Sequence, residues 1–474
     1  MNFVSITFGF FLLTVFLLFW ALPKKMFRLQ NSLILIASFI FYGLWDWRFL
    51  GLIVMSSVVD YIVALKAVRS SNPKRWMWVS LTVNLGTLGL FKYFDFFIGS
   101  LDQLSDLFGI ELNIRLLHLI LPVGISFYTF QTLSYTIDVC RGKLKPTKDF
   151  VAFMAYVSFF PQLVAGPIER ASALLPQFLK PRHFDLALAY QGLEEILWGL
   201  FKKVVIADQC AILVNQVFAS QETSPSYMLV LAIVFFAFQI YGDFSGYSDI
   251  AIGTSKLFGF RLSRNFAYPY FSRDIAEYWR RWHISLSTWF RDYLYIPLGG
   301  SRTTKAKGVR NVFIVFAVSG VWHGANTTFV VWGFFHGLLF VPSLLRGTNK
   351  RYVETIAEGQ RFPSLYEAMR VVLTFTWVGV GWIFFRSESL TDAWIFISSL
   401  FSNPFQYKTP SIAVLNMGLL IIAFVWLEWR SRHVTDPFRL IEHKKKLRWL
   451  CALGCMLWVL IGGGNNDAFI YFQF

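Results

Sequence analysis

Apolar residues form long runs along the chain, separated by short polar connections. A helix needs about 20 apolar residues to cross a hydrocarbon core of about 30 Å, and several runs reach or approach that length. Long, nearly uncharged runs include residues 3–22, 32–45, 76–90, 116–137, 228–241 and 371–385. The pattern predicts an all-α, polytopic membrane protein with about twelve spans, forming a single transmembrane domain over residues 1–474.

Two regions depart from this pattern of simple spans. Residues 150–165 are too short to cross, and the segment ends in the stretch FFPQLVAGPIER, whose Pro161 and Pro167 disfavour a helix interior. Residues 244–310 alternate arginines with aromatic residues, and no clean span can be drawn through them. We expect re-entrant segments near 150–167 and 244–310, because irregular backbone survives at membrane depth only when protein buries it or when it lines a wet cavity.

Composition supports a bilayer as the solvent, since 55% of the 474 residues are hydrophobic and 19% are aromatic. A net charge of +16 would suit a nucleic-acid partner, but the lysines and arginines lie in short loops between apolar runs. This is the positive-inside pattern of membrane proteins, so no nucleic-acid partner is expected. Placing the basic loops in the cytoplasm puts the N-terminus and the C-terminus on the extracytoplasmic side.

His323 interrupts an apolar run in the sequence VSGVWHGAN. It lies thirteen residues after Arg310, the expected cytoplasmic start of its helix, which corresponds to a rise of about 20 Å. An imidazole at that depth cannot reach water along its own side chain, so it must lie in a protein-lined cavity. It is either a neutral histidine bonded to a neighbouring carbonyl or part of a functional site. A third histidine, His336, is expected to pack near the cytoplasmic end of the next span.

The stretch YWRRWHISLSTWFRDYLYIPLGG places His283 among arginines and aromatic residues. The arginines of this region are Arg261, Arg264, Arg273, Arg280, Arg281, Arg291, Arg302 and Arg310. Orientation in the membrane explains a few of them, but eight are more than orientation requires. Guanidinium groups bind phosphates in a bidentate manner. A phosphate-bearing ligand arriving from the cytoplasm therefore fits this region, with Arg280, Arg281 and Arg291 as the predicted contacts.

The sequence YGDFSGYSDIAIG places two acids, Asp243 and Asp249, around Gly242 and Gly246. Two acids and two glycines could bind a cation, but the oxygen-ligand spacing of a calcium loop is absent. We favour a break between two half-helices in which the acids pair with nearby arginines. No metal site is expected.

Several of these stretches together resemble the bacterial branch of the membrane-bound O-acyltransferase (MBOAT) family, which contains the membrane subunits of alginate and peptidoglycan O-acetyltransferases. Teichoic acid D-alanyltransferase is more distantly similar. The resemblance covers most of the chain, and the motifs occur in order. They are NSLILIASFIFYGLWDW, LPVGISFYTFQTLSYTIDV, PQLVAGPIER, YGDFSGYSDIA, RRWHISLSTWFRDYLYIPLGG and VSGVWHG.

The resemblance implies a ring of about 11–12 transmembrane helices, with re-entrant helices, around a central tunnel. It implies an O-acetyltransferase in the bacterial inner membrane whose key histidine is His323 and whose second polar position is His283. The acyl donor would be cytoplasmic acetyl-coenzyme A or an acylated carrier protein, with no permanently bound cofactor. The acyl group would leave on the outside for a cell-surface polysaccharide, by way of an extracytoplasmic SGNH-type transferase.

The C-terminal sequence GGGNNDAFIYFQF places Tyr471 among phenylalanines. It resembles the C-terminal tyrosine motif of a small partner of the teichoic acid enzyme, whose phenol is thought to carry the acyl group. Tyr471 is therefore either an acyl carrier at the outer mouth of the tunnel or an aromatic anchor at the membrane interface.

Two other functions share these features. Broken helices with buried acids and midplane histidines also occur in proton-coupled transporters, although the hydropathy pattern shows no inverted repeat. A non-catalytic scaffold of an envelope acylation complex is the other alternative. An essential His323 would favour the enzyme over both.

Overall fold

The computed structural model describes residues 2–110, 114–164, 166–402 and 410–462, and these residues contain helices but no β-strand. The α-helices in chain order are α1 (Ile6–Ala21), α2 (Phe27–Asp46), α3 (Leu50–Arg69), α4 (Pro73–Leu88), α5 (Phe94–Asp106), α6 (Ile125–Cys140), α7 (Phe150–Val157), α8 (Phe160–Leu163), α9 (Ala171–Phe178), α10 (Leu186–Leu200), α11 (Asp208–Ala219), α12 (Ser226–Leu257), α13 (Ile275–Arg281), α14 (Ile284–Phe290), α15 (Lys305–His323), α16 (Thr327–Leu345), α17 (Leu365–Arg386), α18 (Leu390–Ser402), α19 (Ile412–Ser431) and α20 (Lys445–Gly462). Short π-helical segments, including Phe201–Ala207 and Arg291–Tyr295, extend some of them.

The chain is a multi-pass membrane protein. Five stretches of the described chain are long and apolar enough to cross a bilayer. They are Lys24–Arg69, Ser226–Leu257, Thr327–Leu345, Leu365–Arg386 and Ile412–Ser431. This is fewer than the sequence pattern predicts, because other apolar helices are short. Helix α1, for example, has 16 residues and rises only about 24 Å.

The described helices group into two compact units. The first comprises Met1–Leu193 with Ile250–Ser263, and the second comprises Glu194–Asp249 with Arg264–Phe474. In the first unit, α3, α4 and α6 pack together around the buried carboxylate of Asp60. Asp60 accepts hydrogen bonds from Asn84 Nδ2 and Thr136 Oγ1, each at 2.8 Å, and from the hydroxyl of Ser80. A carboxylate buried in this way is stabilised by donors from both neighbouring helices.

Residues 150–163 form the short helices α7 and α8, and eight residues of helix rise only about 12 Å. Neither helix can cross a membrane. Buried side chains of neighbouring helices bind their backbone: Gln131 Nε2 donates to the carbonyl of Tyr156 at 2.8 Å, and the amide of Phe160 donates to Ser38 Oγ at 3.0 Å. Polar side chains of α2 and α6 therefore satisfy backbone groups of these short helices, as the protein-buried setting of such segments requires.

Helix α12 runs without interruption from Ser226 to Leu257, so the expected break between half-helices at residues 242–246 is wrong. The glycines serve helix packing instead. A Cβ on Gly242 would lie 2.9 Å from the carbonyl oxygen of Lys202, and one on Gly246 would lie 2.7 Å from that of Gly199. The absent side chains let the backbone of α12 approach the end of α10 closely.

The acids of α12 pair with lysines rather than with the expected arginines. Lys203 Nζ lies 2.7 Å from both Asp208 and Asp243, and Lys202 Nζ lies 2.7 Å from Asp249. Both lysines are buried in the π-helical segment Phe201–Ala207. The close approach at Gly242 and Gly246 brings these lysines to the acids.

Helices α15 and α16 pack closely against each other in the second unit, and small residues allow this approach. A Cβ on Gly320 would lie 2.3 Å from the carbonyl oxygen of Phe329, and one on Gly333 would lie 2.3 Å from that of Phe316. Backbone contact of this kind is typical of helix pairs in membranes. It fixes the position of His323, the last residue of α15.

Candidate active site

His323 is enclosed by aromatic rings. Only 3% of the residue is exposed, and its ring centre lies 5.0 Å from Trp322, 5.0 Å from Trp332 and 5.4 Å from Phe385, each in an edge-on arrangement. These three rings are themselves buried. The imidazole therefore lies in a protein interior, not against lipid, and the surrounding rings limit the orientations it can adopt.

His283 lies between the short helices α13 and α14, with left-handed backbone geometry (φ 44°) that is uncommon outside glycine. Its ring is fully buried and packs edge-on against Phe244, with the ring centres 4.7 Å apart. Burial lowers the pKa of His283 from its usual 6.5 to about 3, so the ring is neutral at ordinary pH. Backbone conformations of this kind persist only when surrounding contacts hold them, and they cluster at functional sites.

The two sequence-predicted histidines meet at the ring of Trp322. Its centre lies 5.0 Å from that of His323 and 5.9 Å from that of His283. The histidines are forty residues apart in the sequence and are carried by α15 and by the α13–α14 connection. The fold thus brings them to a shared aromatic neighbour.

A cavity of about 640 Å³ opens beside these elements. Most of its wall is apolar, and its polar and aromatic lining includes Trp279, Arg280, Arg291, Phe316, Ser319 and Lys350. Ser319 lies one helical turn before His323 on α15. The cavity therefore combines an apolar wall with three cationic side chains, and its lining on α15 ends one turn short of the imidazole.

Of the three arginines predicted to contact phosphate, two line the cavity and one does not. Arg280 and Arg291 line the cavity, where Arg280 donates to the carbonyls of Asn349 and Tyr352 at 2.6 Å. A hydrogen bond and ion pair with Asp292 raise the pKa of Arg291. Arg281 instead pairs with the buried Glu277 at 2.9 Å. Arg280 and Arg291 therefore share the cavity wall, whereas Arg281 is not among the residues that line it.

Two residues of this region, Lys350 and Asn265, escaped the sequence analysis, and the expected position of His336 near the end of its span is wrong. Lys350 is a loop residue whose place on the cavity wall depends on folding. Asn265 contacts His283 from eighteen residues away, with Oδ1 3.2 Å from Nδ1. His336 lies midway along α16 and not near its end, buried 4.9 Å from the ring of Trp332. No local pattern distinguishes these residues from ordinary loop or core positions.

The remaining predicted site residue, Tyr471, lies outside the described residues. Among the residues that the structure describes, no group of three or more histidine, cysteine, aspartate or glutamate side chains is arranged to hold a metal ion.

Comparison with known proteins gives a consistent assignment. The model of the MBOAT, membrane-bound O-acyltransferase family, matches residues 143–373. The chain is 39% identical to the probable alginate O-acetylase AlgI of Pseudomonas aeruginosa, covering 90% of this chain and 81% of that protein. It is 35% identical to the peptidoglycan O-acetyltransferase of Helicobacter pylori, covering 76% and 71% of the two chains. It is 27% identical to the teichoic acid D-alanyltransferase of Bacillus subtilis, covering 57% and 70%.

Proposed function

Because the chain belongs to the membrane-bound O-acyltransferase family and is an O-acyltransferase, we propose that it moves an acetyl group from a cytoplasmic thioester to a cell-surface polysaccharide of the alginate or peptidoglycan type. The relatives named for alginate and peptidoglycan acetylation support this acceptor class. The observation that carries the proposal is the pair of buried histidines at Trp322 beside a cationic, largely apolar cavity. The enzyme would lie in the bacterial inner membrane with its basic loops, and the donor, on the cytoplasmic side.

The cavity suits a thioester donor in both size and chemistry. Arg280, Arg291 and Lys350 place positive charge where the phosphates of coenzyme A, or the phosphopantetheine of a carrier protein, would bind. The apolar wall formed in part by Trp279 and Phe316 suits the uncharged pantetheine arm. An extended arm entering along this wall would present its thioester towards Ser319 and the end of α15.

His323 would act as the general base. The acceptor hydroxyl is a poor nucleophile until its proton is removed, and a positioned imidazole can take that proton as the hydroxyl oxygen attacks the thioester carbonyl. The new carbon–oxygen bond forms, the carbon–sulfur bond breaks, and the departing thiolate takes up the proton that His323 received. The aromatic enclosure of Trp322, Trp332 and Phe385 would hold the ring in position and keep competing water away.

The acetyl group would then pass to the outside, where an extracytoplasmic SGNH-type transferase would hand it to the polysaccharide. Tyr471 is proposed as the intermediate carrier, and its phenolic oxygen would be the hydroxyl that attacks the thioester. Reconstitution of the membrane protein with candidate soluble SGNH proteins tests the partnership. Acetylated polysaccharide should form only when both proteins and the thioester are present.

The central experiment compares the purified protein with His323→Ala in lipid nanodiscs supplied with acetyl-coenzyme A, the SGNH-type partner and the polysaccharide that accepts the acetyl group. Release of free thiol should fall about 10²-fold or more in the variant. The matched control is His433→Ala, since His433 is an exposed histidine of the same chain, and it should keep wild-type turnover. Full thiol release by His323→Ala would exclude His323 as the base. If polysaccharide acetylation in cells also persisted in that variant, the transporter or scaffold functions would replace the enzyme.

A further inference from the structure

Asn265 holds the segment around His283 through both its backbone and its side chain. Its carbonyl accepts a hydrogen bond from the amide of Ile284 at 2.9 Å. Its side-chain Oδ1 lies 3.2 Å from His283 Nδ1 and also accepts from the amide of Ser285 at 3.3 Å and from Ser285 Oγ at 3.0 Å. Asn265 itself is buried. Asn265 thus stabilises the left-handed backbone at His283 and also contacts the His283 ring.

These bonds determine which way the amide of Asn265 faces. A backbone N–H only donates, so the side-chain atom that meets the amide of Ser285 must be the oxygen. The nitrogen, Nδ2, then donates to Ser248 Oγ at 3.2 Å on α12. The reversed amide would set a donor against the N–H of Ser285 and is excluded.

An oxygen facing His283 Nδ1 requires a proton on that nitrogen. In a neutral imidazole one nitrogen carries a proton and the other carries a lone pair, and the hydrogen bond at one nitrogen decides the role of the other. With Nδ1 donating to Asn265, Nε2 retains the lone pair. It can then accept a proton or a hydrogen bond from a substrate thiol or hydroxyl.

We propose that Asn265 is a positioning residue that holds His283 in the Nδ1–H form, so that Nε2 serves as the acceptor in the acyl-transfer site. The catalytic role of Nε2 rests on the proposed function. The tautomer of His283 does not, because it is set by the protein's own hydrogen bonds. The acceptor nitrogen of His283 is then Nε2. A substitution of Asn265 should therefore impair acyl transfer.

Other groups also pack near the imidazole of His283. Aromatic rings pack against it: Phe244 of α12, Phe266 beside Asn265, and Trp322 of α15. The same helices carry the titratable groups Asp243 and Asp249, which are ion-paired with lysines, and His323. A carboxylate introduced at position 265 would therefore place a new charge directly at Nδ1.

Three variants separate a positioning role from a merely structural one. Asn265→Asp keeps an acceptor at Nδ1 and adds a negative charge, which raises the pKa of His283, by about one unit or more for a close opposite charge. Asn265→Leu keeps the approximate size and removes the acceptor. Ser248→Ala is the matched control, since it removes only the bond on the far side of the amide.

Thiol release from acetyl-coenzyme A is measured against pH for each protein in nanodiscs, with the same SGNH-type partner and polysaccharide acceptor. In Asn265→Asp, turnover should stay within about tenfold of wild type at alkaline pH, while the acid limb moves about one unit or more to higher pH, because the ring is protonated sooner. Asn265→Leu should lose about 10²-fold in kcat with little change in the KM for the donor, and Ser248→Ala should match wild type. Wild-type kcat and pH dependence in Asn265→Leu would overturn the proposal.

Nitrogen-15 spectra of histidine-labelled protein test the tautomer without any turnover. The chain has seven histidines, and the difference between wild type and His283→Gln isolates the two ring nitrogens of His283. A protonated Nδ1 with an unprotonated Nε2 supports the proposal, and the reverse assignment overturns it. If the spectra agree but wild type releases no thiol from any thioester, the proposed function has failed and the assignment of Asn265 stands.

Discussion

The ammonium group of Lys203 lies 2.7 Å from carboxylate oxygens of both Asp243 and Asp208, and all three side chains are buried. Replacing Lys203 by methionine would leave two acids without this cation in the interior. Removing one partner of a buried ion pair costs about 3–5 kcal/mol. Lys203→Met should therefore unfold at a markedly lower denaturant concentration in micelles, measured by tryptophan fluorescence.

The control for this prediction is an exposed ion pair. Arg48 pairs with Asp46 in the first unit, and 59% of its side chain is exposed. Arg48→Met should leave the free energy of unfolding unchanged within error, because solvent screens such pairs. Equal losses in the two variants would show that the buried cluster contributes no special stability.

The contact between α15 and α16 leaves no room for a side chain at Gly320. A Cβ there would lie 2.3 Å from the carbonyl oxygen of Phe329, so Gly320→Ala must push the helices apart and displace His323. Overpacking of this kind costs about 1–3 kcal/mol, and we expect thiol release to fall at least tenfold, as misplacement of a catalytic group by about 1 Å can cost far more. Gly418→Ala is the control, since nothing lies within 4 Å of its added Cβ. A fully active Gly320→Ala would contradict the placement of His323 by this helix pair.

If the cationic side chains of the cavity bind the donor phosphates, removing them should weaken donor binding more than it slows turnover. Arg291→Gln combined with Lys350→Gln removes two of the three cations that line it. Charge-assisted hydrogen bonds contribute about 1.5–3 kcal/mol each, so the KM for acetyl-coenzyme A should rise at least tenfold while kcat changes little. The difference from wild type should shrink at high ionic strength, where exposed charges are screened.

Arg430→Gln serves as the control for the double variant, because Arg430 is an exposed arginine of α19. Its KM should equal that of wild type. A double variant with unchanged KM, or one whose loss appears only in kcat, would exclude the cavity wall as the phosphate-binding surface.

A carrier role of Tyr471 predicts that Tyr471→Phe changes polysaccharide acetylation but not the amount of protein in the membrane. If its phenol carries the acetyl group, Tyr471→Phe should abolish acetylation of the polysaccharide in cells, because no hydroxyl remains to form the ester. The level of the protein in membranes, measured by immunoblot, should not change, since only one oxygen is removed. Full polysaccharide acetylation by Tyr471→Phe would reject the carrier role and leave Tyr471 as an interfacial anchor.

The sequence by itself determined that this is a membrane protein, and it indicated which residue types form the candidate site. Hydropathy and loop charge are summed along the chain, so long apolar runs and basic loops are enough to indicate a multi-pass membrane protein. The isolation of His323 within an apolar run made it a candidate before any helix was placed, because a polar group at that depth requires a protein partner. The ordered motifs indicated the family, which the comparisons confirm.

Only the tertiary structure decided which groups meet. Lysines rather than arginines pair with Asp243 and Asp249, because Gly242 and Gly246 admit the backbone that carries those lysines. Arg281 faces Glu277 while Lys350 faces the cavity, and Asn265 reaches His283 across eighteen residues. Local patterns cannot give such pairings, since they depend on which helix faces lie against each other and on how closely the backbones approach.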